Sequence, residues 1–167
     1  MISIICPFYN EEDSIILFFE KLLNTLDTID EEFEIICIND GSNDKTYHQV
    51  NKLLKRGEGK HSIKAIKLSR NFGKEAAILA GLKHAKGDLV ITMDADLQHP
   101  PEIIPEMIAA WKDGAHIVSA VKKNRSQDGF LVRLRAKIFN SLLTRLGGID
   151  IRHSSDFKLL DREVVDV

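Results

Sequence analysis

Val90-Ile91-Thr92-Met93-Asp94-Ala95-Asp96 is the stretch on which the reading of this chain turns, an apolar run that ends in two carboxylates two residues apart. Side chains along a strand alternate faces, so Asp94 and Asp96 are expected to point the same way at the strand's carboxyl end. Two hard oxygen donors in that arrangement suit a divalent cation that carries phosphate oxygens. Asp is equally a common turn former, and the same stretch taken alone also reads as a strand turning at the surface. The rest of the chain decides between the two.

Outward from this stretch, short apolar runs alternate with segments of helical period, the pattern of βα units that feed a mainly parallel sheet. Strands are expected at Ile2 to Cys6, Glu34 to Ile38, Ile63 to Leu68, Leu89 to Met93 and Ile117 to Val121. A first helix follows Glu11-Glu12-Asp13, an acidic triplet suited to a helix N-terminus, with Ile15, Phe18, Phe19, Leu22, Leu23 and Leu26 on one face. A second is expected from Asp44 to Lys55 with Ser42 or Asn43 as cap, and a third from Lys74 to His84 with small Ala76, Ala77 and Ala80 for close packing. Pro100-Pro101-Glu102 opens a fourth, carrying Ile104, Met107, Ile108 and Trp111, and Gly114 ends it. A fifth, amphipathic helix is expected from Leu131 to Leu146, and Ile149 to Val167 reads as an irregular turn, then Phe157-Lys158-Leu159-Leu160 and an acidic end.

Size and composition bound the function. A chain of 167 residues holds one domain with a sizeable core, and 44% hydrophobic with 29% charged residues is the balance of a soluble globular protein. No apolar run approaches the roughly 20 residues needed to span a bilayer. Met1 leads straight into Ile2-Ser3-Ile4-Ile5-Cys6 without the basic segment of a secretory signal, so the cytosol is the expected compartment. Cys6 and Cys37 fall in expected buried strands with no second ligand at metal spacing, which makes them structural thiols. Residues 122 to 145 carry Lys122, Lys123, Arg125, Arg133, Arg135, Lys137 and Arg145 against Asp128 alone. A basic segment on an acidic body suits an anionic partner such as phosphate, lipid head groups or nucleic acid, and it also fits a solvated helix face.

In an open parallel sheet, ligands bind beyond the carboxyl ends of the strands. Pro7-Phe8-Tyr9-Asn10-Glu11 follows the first strand, offering an aromatic ring and an amide near a helix N-terminus for a base and its sugar or phosphate. Asn39-Asp40-Gly41-Ser42 follows the second and puts a carboxylate on a Gly turn, where Asp40 is placed to accept from a base or ribose. Ser69-Arg70-Asn71-Phe72-Gly73-Lys74-Glu75 follows the third; cations at a helix start are unfavourable for its dipole, which points to an anion meeting Arg70 and Lys74. The chain has neither a Gly-x-Gly-x-x-Gly after its first strand nor a Gly-x-x-x-x-Gly-Lys-Ser/Thr, which argues against dinucleotide enzymes and P-loop nucleotidases. Asp94 to Gln98 departs from the start of aspartate-nucleophile phosphatases, because Gln98 stands where Thr or Val is expected.

Taken together, these blocks resemble the family 2 glycosyltransferases of GT-A fold, and within them the polyprenyl-phosphate sugar synthases. Cys6 to Glu11 is similar to the family's Val-Pro-x-Tyr-Asn-Glu, and Asn39 to Ser42 to its Asp-Asp-Gly-Ser. Ser69 to Glu75, Asp94 to Glu102 and Asp156 to Arg162 match in order and spacing over nearly the whole chain, with Asn39 and Cys6 as departures. The Asp94 to Glu102 block resembles the dolichol-phosphate mannose synthase and bactoprenol glucosyltransferase types.

The resemblance implies an α/β GT-A domain over residues 1–167, a single domain with a mainly parallel central sheet and helices on both faces. It implies transfer of a hexose, with inversion, from a nucleotide sugar of UDP-glucose type to polyprenyl phosphate, at the cytosolic face of the membrane and in peripheral contact with it, and no nucleic-acid partner. Pro7, Tyr9, Asn10, Glu11, Asp40, Ser42 and Asp94 are the expected nucleotide contacts, and Asp94 with Asp96 the expected ligands of Mg2+ or Mn2+. Asp96 and Asp156 are the catalytic candidates, and Arg70, Lys74, Gln98, Arg125, Arg133 and Arg135 the candidates for phosphate and acceptor. Members of the class commonly continue into membrane-associated helices, so the chain is expected to lack a C-terminal anchoring region. A lipooligosaccharide or capsule glycan as acceptor, and an inactive nucleotide-sugar-binding module, are the alternative readings.

Overall fold

The computed structural model describes residues 1–56, 60–120 and 157–166. Strands β1 (Ile2–Phe8), β2 (Phe33–Asn39), β3 (Ser62–Lys67), β4 (Leu89–Thr92), β5 (Ile117–Ser119) and β6 (Lys158–Asp161) form one sheet in the order β3-β2-β1-β4-β6-β5. The β1–β2, β2–β3 and β1–β4 pairings are parallel, and β6 runs antiparallel between β4 and β5. The mixed α/β sheet expected from the sequence is therefore present, with one difference. Phe157 to Leu160 was not assigned to a strand, yet residues 158–161 fill the slot between β4 and β5.

Alternation along the central strands builds two cores. Ile4, Cys6, Ile35, Cys37 and Ile91 face one side, where they pack with Phe18, Phe19 and Leu22 of α1 (Ile15–Asp27), Val50 of α2 (Thr46–Arg56), and Met107 and Ile108 of α4 (Ile104–Lys112). Ile5, Ile36, Ile38 and Val90 face the other side, with Ala77 of α3 (Lys74–Leu82). A strand buried on both faces reads as a continuous apolar run, as in Ile2–Cys6 and Ile35–Ile38. Of the small residues expected to pack closely in α3, Ala77 is buried and Ala80 packs against the same cluster, and Gly81, not among those expected, is where a Cβ would lie 2.4 Å from Ile5 Cγ2. Cys6 and Cys37 are buried register partners without a disulfide, and burial pushes both thiols up, as suits small hydrophobes.

Helix boundaries move by a residue or two from expectation, for local reasons. The acidic triplet lies just before α1, and Ser14 and Ile15 donate their N–H groups to the Glu11 carbonyl. Neither Ser42 nor Asn43 caps α2; Asp44 does, accepting from the Thr46 N–H at 3.0 Å. Pro100-Pro101-Glu102 opens a single 3-10 turn (Pro101–Ile103) before α4, and Gly114, at φ 103, ends that helix with its N–H on the Trp111 carbonyl. The last helix, α5 (Arg162–Val165), is capped by the Asp161 side chain. The expected helix from Leu131 to Leu146 and the end of the strand expected to reach Val121 lie outside the described residues. No helix among those described is long and apolar enough to cross a membrane.

One buried histidine, His61, is expected to make the fold acid-sensitive. His61 packs edge-on to Phe33, and its Nε2 lies 3.3 Å from Asp27 without the alignment of a hydrogen bond. Burial pulls its pKa below the ordinary 6.5, with Lys60 adding to the shift and Asp27 opposing it. A depressed histidine binds fewer protons folded than unfolded, so stability is full above 6.5 and falls as pH drops through that value. Urea titrations between pH 5 and 7.5, about the range of imidazole charging, are expected to show a falling midpoint that His61→Leu flattens. An equal slope in both proteins would remove His61 as the cause.

Candidate functional site

Beyond the carboxyl ends of the parallel strands, four loops converge on one cleft of about 320 Å³. Pro7, Phe8, Tyr9 and Glu11 line it from the end of β1 and the loop that follows, and Asp40 from the loop after β2. Asn71, Gly73, Lys74 and Ala77 come from the β3–α3 connection and α3, and Asp94, Ala95 and Asp96 from the loop after β4.

The acidic pair comes together much as the sequence suggests, with a local difference. β4 ends at Thr92, but Met93 continues the ladder through its N–H to the Ile5 carbonyl. Burial keeps alternating past the strand, with Met93 and Ala95 inside the core and Asp94 and Asp96 half-buried on the cleft side. The turn closes at Leu97, whose φ of 61° is unusual for a bulky side chain, and Asp96 Oδ1 accepts the Gln98 N–H at 2.9 Å. Asp94 Oδ2 lies 2.5 Å from Lys74 Nζ. No thiol or imidazole is among the lining residues, and two half-exposed carboxylates are a donor set that fits Mg2+ or Mn2+.

Asp40, expected as a nucleotide contact, lines the cleft. It is 3% exposed, and its two oxygens accept the Phe72 and Gly73 N–H groups at 2.8 and 2.9 Å. This fork fixes the N-terminus of α3, and with it Lys74, against the end of β2. Asn10 and Ser42 are likewise loop ties: the Asn10 N–H donates to Ser42 Oγ, and Asn10 Oδ1 accepts the Asn43 N–H at 2.9 Å. Glu11 binds the Ser14 hydroxyl while its own N–H donates to Thr46 Oγ1. Arg70 is exposed with its guanidinium 4.8 Å from the Phe72 ring centre, and it does not line the cleft.

Asn71, Gly73 and Ala77 line the cleft without having been singled out. The signal for Gly73 was its place ahead of α3, where φ is 96°; Ala77 carried only a packing signal, and Asn71 none. Arg125, Arg133, Arg135 and Asp156 lie outside the described residues. Phe157, next to Asp156 in sequence, is buried and packs edge-on against His99, which joins the start of β6 to the loop that carries Asp96. Another cluster, His116, Asp161 and Glu163, brings its ligand atoms within 4.8 Å of one another. It sits at the opposite sheet edge, since Asp161 pairs with Leu89 at the start of β4, and it is separate from the cleft.

A family model described as glycosyl transferase family 2 matches residues 3–166. The chain belongs to that family. It is 43% identical over 166 residues to an uncharacterised glycosyltransferase of Synechocystis sp., covering 99% of this chain and 51% of that protein. A bactoprenol glucosyl transferase of Shigella phage SfV is 40% identical, with 99% of this chain and 53% of the relative covered. The chain thus spans about half the length of the curated relatives it matches. Among solved structures, glucosyl-3-phosphoglycerate synthase from Mycobacterium tuberculosis, in complex with Mn2+, UDP and phosphoglyceric acid, superposes at a TM-score of 0.70. It is 20% identical, and 98% of this chain and 56% of that one are covered. At that identity the likeness speaks for the GT-A fold alone.

Proposed function

We propose that this family 2 domain, residues 1–167, transfers a hexose with inversion from a UDP-type nucleotide sugar to polyprenyl phosphate at the cytosolic face of a membrane. The observation that carries the reading is the convergence of the four strand-end loops on one cleft with Asp94 and Asp96 on its wall. The bactoprenol glucosyl transferase relative supports the lipid-phosphate acceptor, and the Mn2+ and UDP of the solved neighbour support the donor and the ion.

In this proposal Asp94 and Asp96 hold Mg2+ or Mn2+. When bound, the ion supplies neutralising charge to the diphosphate leaving group. Tyr9, 40% exposed on the cleft wall, offers a ring face to the base, with Pro7 and Glu11 beside it. Asp40 acts through the β3–α3 loop it fastens. An acceptor phosphate is already an anion, so its oxygen attacks the anomeric carbon as the bond to the diphosphate oxygen breaks, and alignment matters more than a strong base. Asp156 is assigned to the acceptor side, which the position of Phe157 beside His99 supports. Gln98, Arg70, Arg125, Arg133 and Arg135 are proposed for phosphates of donor and acceptor.

The test is transfer from labelled UDP-glucose, UDP-galactose and GDP-mannose to undecaprenyl phosphate in detergent with Mn2+, against a lipooligosaccharide acceptor. Labelled lipid from one donor is the expected result. Label on the glycan alone would replace the lipid acceptor, and UDP binding without transfer to either would make the domain a binding module.

A further inference from the structure

We propose that Phe157 is a positioning residue for the acidic pair: its ring, seated against His99, fastens the turn that aims Asp96 into the cleft. The proposal rests on the reading of Asp94 and Asp96 as metal ligands. That turn is strained. Leu97 stands at φ 61°, in the left-handed region, and a bulky side chain stays there only where its surroundings hold it. Inside the turn Asp96 Oδ1 accepts the Gln98 N–H at 2.9 Å, and Leu97 packs against the core on the α1 side of the sheet. At the far end of the turn His99 meets the Phe157 ring edge-on, with ring centres 5.7 Å apart.

Phe157 is a firm anchor for such a contact. It is fully buried, its carbonyl accepts the Ala120 N–H at 3.0 Å, and the residues that follow it are paired into the sheet between β4 and β5. Lys158 pairs with Thr92, so the register continued by one step sets Phe157 at the level of Met93, where β4 gives way to the acidic pair. A close-packed ring at that point passes a displacement on rather than absorbing it. The same contact sets the acidic pair relative to the chain that returns to the sheet here. Asp156, assigned to the acceptor, is one peptide bond from Phe157, and Arg125, Arg133 and Arg135 lie earlier in the same stretch, 121–156.

Mn2+ binding to the full chain in the presence of UDP, read from the electron paramagnetic resonance signal of the free ion, tests this without any turnover. Phe157→Leu keeps a buried apolar side chain but removes the ring edge, and it is expected to weaken Mn2+ binding about tenfold, as a misaimed ligand should. Leu159→Val, a core truncation further along β6, is expected to lower the melting temperature and leave Mn2+ affinity unchanged. His99→Leu, made on the turn and outside both cores, is expected to weaken Mn2+ binding as Phe157→Leu does, and it supplies the comparison if Phe157→Leu does not fold. In the double variant the two losses should overlap rather than multiply. Full Mn2+ affinity in Phe157→Leu and His99→Leu, or an equal loss in Leu159→Val, would overturn the positioning role while leaving the metal site standing. An unmutated chain that takes up no Mn2+ even with UDP would overturn the metal site itself, and this proposal with it.

Discussion

Replacing Asp94 or Asp96 by asparagine is expected to lower sugar transfer by on the order of 10² to 10³-fold and to remove the dependence of UDP binding on Mn2+. Asparagine keeps the shape of each side chain and removes the charge that a hard cation needs. The fold should survive, because the acidic pair lies on the cleft wall outside both cores. At Asp94 the change also removes the ion pair with Lys74, but an ion pair exposed to this degree contributes about 1 kcal/mol or less to stability. Calorimetric titration of UDP with and without Mn2+, beside a thermal melt, separates a lost ligand from a lost fold. Asp94→Asn that binds UDP plus Mn2+ as tightly as the unmutated chain would end the metal assignment. The two variants should also differ in kind. Asp96 already accepts the Gln98 N–H, so its amide form risks turning a donor toward that N–H and loosening the loop at Leu97. Asp94 has no such backbone partner among the described residues, and its loss should fall mainly on charge.

The second large effect is expected at Gly41. Its φ is +72°, in the left-handed region, and a Cβ there would lie 2.4 Å from the Arg70 carbonyl carbon and 2.6 Å from the Asn71 nitrogen. Both neighbours are backbone, so neither can swing aside as a side-chain tip would. Gly41→Ala must therefore meet the left-handed penalty and push the β3–α3 loop outward, at a combined cost of about 2 to 5 kcal/mol. Moving that loop breaks the Asp40 fork onto Phe72 and Gly73 and carries Lys74 away from Asp94. Urea denaturation should show the lower midpoint, and hydrogen exchange should show lost protection of the Phe72 and Gly73 amides in particular. Unchanged exchange at those two amides would mean that the loop is held by something other than the Asp40 carboxylate.

The central strands were legible because burial on both faces writes a continuous apolar run, and α1 because its core stripe repeats at helical spacing. Asp94 and Asp96 were legible as a pair because period-2 alternation outlasts the strand by a few residues. β6 was not, since Lys158 to Asp161 has no distinctive pattern and becomes a strand only by filling the gap between β4 and β5. Asn10 and Ser42 are expected nucleotide contacts by the family resemblance, and what the structure adds is that they tie two loops more than thirty positions apart. No local rule announces such a partner.

Taken by itself, the amino-acid sequence determined the alternation of strands and helices, the strand ends where polar groups collect, and the acidic pair on one of them, because these depend on neighbours a few residues away. Only the tertiary structure decided which charges meet. It made Asp40, on the cleft wall, the clamp on α3, set Lys74 against Asp94, and placed the start of β6 beside the loop of Asp96. Those pairings join residues that the chain keeps far apart, and they exist because sheet order, not sequence order, fixes which loops share an edge.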